Sequence, residues 1–115
     1  MKKYDFIAGI PCSGLKDLIK DIERYVPCTR EDEALAMAVG AYLAGKRPLV
    51  YLQNSGLGHI VDAATSLLEP YGIDIDLVVS LRTRPRHHAF MGKITKKLLK
   101  VLNYKKYKIV EQCEE

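Results

Sequence analysis

Short apolar segments alternate with stretches of helical periodicity along the whole chain, and that alternation leaves few folds open. Tyr4 to Ile10 ("YDFIAGI"), Pro48 to Gln53 ("PLVYLQ") and Asp74 to Leu81 ("DIDLVVSL") are short and almost continuously apolar, as strands buried on both faces are. A very short strand at Val26 to Cys28 and a terminal one in "YKIVEQ" (Tyr107 to Gln112) complete the set. Behind Ser13, which can cap a helix, Leu15, Leu18, Ile19 and Ile22 repeat at helical spacing. Thr29 can cap a second, Ala-rich helix that ends near Gly45, a glycine C-cap. Ile60 to Tyr71 reads as a helix broken near Pro70, and Lys93 to Tyr104 as the last helix after a polar loop from Arg82 to Gly92. This order predicts right-handed crossovers and a three-layer α/β/α fold built on a mainly parallel sheet.

The 115 residues suit one domain, residues 1–115, with no repeat, linker or low-complexity tract. A chain this short buries a modest fraction of its surface, so a partner subunit is expected to cover part of it. There is no apolar run of the ~18 residues that span a membrane and no basic-then-apolar leader. Cys12, Cys28 and Cys113 form no CxxC, which points to free thiols in a reducing compartment. The expectation is a cytoplasmic protein without a membrane partner. The net charge of +4 comes largely from Lys93, Lys96, Lys97, Lys100, Lys105, Lys106 and Lys108, a solvated face in the commoner case. With Phe6 and Phe90 the only phenylalanines and no Trp, stacking platforms for nucleic acid are scarce, and no nucleic-acid partner is expected.

Ligands of parallel sheets gather at the carboxyl ends of the strands. Four segments leave those ends: Pro11 to Ser13, Thr29 to Glu31, Asn54 to His59, and Arg82 onward. Glu31, Asp32 and Glu33 crowd the first turn of the Ala-rich helix. The helix dipole favours such acids by ~0.3–1 kcal/mol, and that alone explains their presence. Ala34, Ala36, Ala38, Gly40, Ala41 and Ala44 then give a helix of small faces, at whose mouth a carboxylate can be held dry against a heterocycle and share a proton with a ring nitrogen. "NSGLG" is by itself an ordinary strand-to-helix turn, whose glycines also permit positive φ and close approach to a ligand. It lacks the GK[ST] of a phosphate-binding loop. Arg82, Arg84, Arg86, His87 and His88 make either a solvated basic loop or a clamp for a sulfonate, phosphonate or carboxylate. Adjacent histidines cannot share one helix face as ligands, and no metal bound by this chain is expected.

Taken in order, "GIPCSGLKDLI", "EDEALAMAVGAYLAGK", "QNSGLGHIVDAATSL" and "MGKITKKLL" resemble the pyrimidine-binding domain of thiamine-diphosphate-dependent 2-oxo acid decarboxylases. The similarity is greatest to sulfopyruvate decarboxylase alpha subunits and the matching half of phosphonopyruvate decarboxylase, and runs from about Tyr4 to Tyr104. It implies the pyrimidine-type domain of the thiamine-diphosphate-binding fold. The family's glutamate stands nine residues before the helix glycine, which is Glu31 counted back from Gly40. In such enzymes that carboxylate bonds N1′ of the cofactor's aminopyrimidine and favours its imino form, so that the exocyclic nitrogen can take the thiazolium C2 proton. By the same resemblance Asn54, Ser55, Gly56, Leu57 and Gly58 line the cofactor, while Pro11, Cys12, Ser13, His59 and Arg82 face the substrate. His59 stands where the family usually has asparagine, and the loop after Arg82 is shorter and more basic than in the relatives.

The resemblance further implies a hetero-oligomer active only with a partner. No GDG motif occurs, so Mg²⁺ and the diphosphate would be held by a beta-type, diphosphate-binding subunit that carries one, and the chain reads as truncated at both ends against the family. The substrate implied is a small anionic 2-oxo acid of the sulfopyruvate or phosphonopyruvate kind. The alternative is a non-catalytic, regulatory binding subunit that retains the fold.

Overall fold

The computed structural model describes residues 4–11, 19, 20, 22 and 24–111. Ser13, Leu15 and Leu18 of the expected first helix, with Cys12 and Cys113, lie outside the described residues. Five strands form one sheet among them: β1 (Phe6–Gly9), β2 (Tyr25–Pro27), β3 (Pro48–Gln53), β4 (Asp76–Leu81) and β5 (Tyr107–Glu111). Their order is β2-β1-β3-β4-β5 and every pairing is parallel. In register, Ile7 lies beside Tyr25 and Leu49, and Tyr51 beside Val78. The strand order reverses between β1 and β3, so the crevice that accepts ligands in such sheets opens at the carboxyl ends of these two strands.

Both faces of the sheet are buried, which is why its strands are apolar at consecutive positions. Ala8, Val50, Leu52, Leu77 and Val79 point to one face and meet Leu35, Ala38, Leu57, Ile60, Leu68 and Leu99. Ile7, Leu49, Tyr51 and Val78 point to the other, where Ile19 and Ile22 pack. The three-layer α/β/α expectation is met. No helix among the described residues is long and apolar enough to cross a membrane.

Helix α1 (Glu31–Leu43) buries Ala34, Leu35, Ala38 and Val39 against β1 and β3. Its N-cap is Arg30, in extended conformation, rather than the expected Thr29, and the Arg30 side chain makes no capping bond. The acids take over that task. The Thr29 N–H donates to Glu33 Oε1 at 3.3 Å, and Asp32 Oδ1 accepts from the Glu33 N–H at 2.9 Å. The other end follows expectation: Gly45 has φ +91°, Lys46 N–H donates to the Ala41 carbonyl at 2.9 Å and Gly45 N–H to that of Tyr42 at 3.0 Å. This is a Schellman motif, closed by a residue that must be left-handed.

The segment after β3 is a 3-10 helix, Asn54–Ile60, continued by α2 (Val61–Ala63), a π-helical turn (Ala64–Leu68) and α3 (Glu69–Tyr71). The π turn ends two residues before Pro70, whose missing N–H would interrupt a regular α ladder. The helix therefore passes Pro70 and ends at Gly72, left-handed at φ 64°. After β4, a 3-10 turn (Arg86–His88) leads into α4 (Ala89–Val101). The expected polar loop thus ends four residues early, because Gly92 lies inside α4. A methyl group on Gly92 would come within 2.7 Å of Thr83 Cγ2, so the glycine serves packing, not helix termination.

Candidate functional site

With all strands parallel, the segments after β1, β2, β3 and β4 emerge at one end of the sheet, and two of the expected residue groups are joined there. Glu31 opens α1 and turns its side chain toward the 3-10 helix that follows β3. Its carboxylate is 14% exposed, and Oε1 lies 2.6 Å from Nδ1 of His59, whose side chain is 54% exposed. The other oxygen, Oε2, rests on Gly56, where a methyl group would overlap the carboxylate. Gly56 therefore matters for the space it leaves. The turn's glycines do not use the positive φ that they permit, since Gly45 and Gly72 are the glycines with positive φ among the described residues. Gly58 faces open space.

The two neighbouring acids are engaged elsewhere. Asp32 pairs with Arg30 at 3.0 and 3.2 Å, and this exposed contact holds its carboxyl below the usual range while raising the Arg30 guanidinium. Glu33 accepts from Thr29. Of the three, Glu31 alone is aimed at the turn. The Cys28 thiol, beneath them, is pushed up by burial and by the Glu33 charge, and it touches Met37 Sδ at 3.7 Å.

Asn54 makes its bonds inside the fold. It is fully buried, and its side chain accepts from the Arg82 N–H at 3.0 Å and donates to the Arg82 carbonyl at 3.1 Å and to Thr95 Oγ1 at 3.0 Å. Thr95 in turn donates to the Met91 carbonyl at 2.7 Å. Asn54 thus ties the start of the basic loop to the end of β3 and to α4. The amide fills both hydrogen-bonding sites of one residue's backbone, a task few other side chains can perform. Thr95 was not among the expected residues; its signal is a lone hydroxyl on the apolar side of α4. Leu57 is likewise fully buried and belongs to the core.

Ser55 is exposed and its hydroxyl accepts from Gln53 Nε2 at 2.9 Å. Arg82 is half-buried, and its Nε donates to the Arg84 carbonyl at 3.0 Å, which folds the side chain along its own loop. The His87 and His88 rings lie 4.2 Å apart, tilted, and with Arg84 and Arg86 they leave the loop strongly basic. Pro11 is exposed beside this end of the sheet, and Cys12 and Ser13 lie outside the described residues. Among the described residues no three His, Cys, Asp or Glu side chains are grouped to hold a metal ion.

No family model matches the chain. It is 39% identical over 113 residues to the sulfopyruvate decarboxylase subunit alpha of Methanocaldococcus jannaschii, covering 90% of this chain and 67% of that one. The chain belongs to the sulfopyruvate decarboxylase alpha-subunit family. The same subunit of Methanococcus maripaludis is 37% identical, with 85% of this chain and 64% of the relative covered. The phosphonopyruvate decarboxylase of Streptomyces viridochromogenes is 41% identical over 104 residues, 81% of this chain but 26% of that protein. The chain thus spans about two thirds of the length of these alpha subunits and about a quarter of the longer decarboxylase. Membership in the alpha-subunit family agrees with the resemblance drawn from the motifs around Glu31 and Asn54.

Proposed function

We propose that the chain is the alpha-type subunit of a thiamine-diphosphate-dependent decarboxylase of a small anionic 2-oxo acid, sulfopyruvate- or phosphonopyruvate-like. The observation that carries this reading is the Glu31 carboxylate, held almost dry at the mouth of a small-residue helix with one oxygen against Gly56 and the other bonded to a heterocyclic nitrogen. That donor set fits an aminopyrimidine. Thiamine diphosphate, when bound, supplies the electron sink that decarboxylation of a 2-oxo acid requires.

The work of this chain's residues follows from their placement. With the cofactor bound, Glu31 would hydrogen-bond N1′ of the aminopyrimidine and favour its imino form, and the first position of α1 fixes where that carboxylate stands. Gly56 keeps the space in which that carboxylate sits. Asn54 and Thr95 hold the Arg82 backbone, and through it the basic loop that meets the substrate's acid group by charge-assisted hydrogen bonds. Mg²⁺ and the diphosphate would be held by a GDG-bearing beta-type partner in a hetero-oligomer.

The test is recovery of the tagged chain from its native extract, with thiamine diphosphate quantified in the eluate. A GDG-bearing subunit with stoichiometric cofactor is expected. Glu31→Gln in that complex should lower turnover by roughly 10²–10⁴-fold, the range for loss of a positioned acid–base group. The engagement of Glu31 by His59 favours a second reading, a non-catalytic subunit that retains the fold. Undiminished turnover in Glu31→Gln would establish it.

A further inference from the structure

Glu31 is the better buried member of its pair, and His59 the freer one. Among the described residues His59 is the one side chain that hydrogen-bonds the Glu31 carboxylate, at 2.6 Å on Oε1, while Oε2 is covered by Gly56. A ring nitrogen approaching from solvent therefore finds Oε1 occupied and Oε2 screened. The segment bearing His59 is anchored on both sides by Leu57 and Ile60, each fully buried, so the backbone is fixed and the imidazole alone projects outward. A side chain 54% exposed can rotate away without opening the core.

We propose that His59 competes with the cofactor's aminopyrimidine for Glu31 Oε1, so that the ring binds by displacing the imidazole, and the displaced imidazole then stands beside the ring at the mouth of the site. This rests on the reading of Glu31 as the carboxylate that meets the aminopyrimidine. His59 is then a positioning residue. It holds Glu31 in the orientation that the ring requires, at the cost of the affinity that its own displacement consumes. An asparagine at this position, with a shorter reach, competes less.

Two measurements decide it. The first is the downfield Nδ1–H proton signal of His59 in the full chain, which a short imidazole–carboxylate bond produces and which Glu31→Gln should abolish. Its absence from the unaltered chain, or persistence in Glu31→Gln, overturns the pairing itself. The second is calorimetric titration of thiamine diphosphate into the complex with the diphosphate-binding subunit, for the unaltered chain, His59→Ala, His59→Asn and Glu31→Gln. His59→Ala should bind about tenfold more tightly, the factor that the loss of one charge-assisted competing bond corresponds to, with His59→Asn between the two. The Nδ1–H signal should vanish at saturation. Equal or weaker binding by His59→Ala overturns the competition and makes the imidazole a support of the ring. Undiminished binding by Glu31→Gln overturns the cofactor reading instead, whatever the Nδ1–H signal shows, and so does a failure of every variant to bind.

Discussion

At the scale of single residues, one geometry recurs: a group does its work through the atom next to it. Gly56 is needed because the Glu31 carboxylate occupies the space its Cβ would take, whereas Gly58, two residues on, faces open space. Gly56→Ala and Gly58→Ala should therefore part company. The atoms that Gly56→Ala meets all belong to one flexible side chain, Glu31, so the fold loses little, and both variants should unfold within ~1 kcal/mol of the parent. In Gly56→Ala alone, however, Glu31 is pushed off its bond to His59, and the Nδ1–H signal should be lost together with cofactor retention. A large drop in stability for Gly56→Ala, or a retained signal, would show that the space has another purpose. The sequence singles out Glu31 by its place nine residues before Gly40, and of the three acids it is the one that the structure aims at the turn after β3. The hydrogen bonds of Asn54 were not legible: the resemblance puts it in the turn that lines the cofactor, and only the structure shows its buried amide on the backbone of Arg82, 28 residues away. Hydrogen bonds across strands depend on register, which a linear motif does not display.

At the scale of elements, the glycines again separate conformation from space. Gly45 closes α1 at φ +91° with nothing near its missing side chain, and Gly92 sits inside α4 with Thr83 pressed against it. Gly45→Ala should cost ~1 kcal/mol through backbone strain alone, a fall of roughly 4 °C in Tm for a chain of this size. Gly92→Ala should cost ~1–3 kcal/mol through overpacking. Adding Thr83→Ala removes the Cγ2 atom and should recover part of the Gly92 loss and none of the Gly45 loss. Thermal unfolding of the parent, the two single variants and their combinations with Thr83→Ala checks this, and equal behaviour of the two single variants would defeat it. The start of α4 was misjudged from sequence for this reason. Gly92 among basic residues resembles a loop glycine, whereas its neighbours Ala89, Phe90 and Met91 already continue the helix.

At the scale of the whole molecule, the alternation of apolar strands and helices was enough to specify a three-layer parallel fold, because continuous burial of β3 and β4 requires cover on both faces. The polar ties at the end of the sheet opposite the candidate site were not foreseeable, since they join residues far apart in sequence. Tyr4 donates to Asp76 at 2.5 Å, and Tyr104 donates to the Ile75 carbonyl at 2.8 Å, fastening the start of β1 and the chain after α4 to β4. Burial, then the bond to Asp76 and its charge, push the Tyr4 phenol up to about 12. Deeper burial, with the charges of Asp76 and Asp74, raises that of Tyr104 as well. A tyrosine in the unfolded chain ionises near ~10, so above that pH the unfolded state has released protons that the folded state still binds. Stability then falls as pH rises. The contribution is complete below about pH 10 and drains away as the pH climbs toward the folded values. Most of the effect belongs to Tyr104, because Tyr4 is partly exposed and solvent screens its share. Tyr104→Phe keeps the ring and forfeits one hydrogen bond, about 1 kcal/mol at pH 8. Between pH 8 and pH 11 it should lose less stability than the parent, because it has one fewer group to hold protonated. Urea unfolding at both pH values measures the two slopes, and parallel slopes would mean that Tyr104 ionises as readily folded as unfolded.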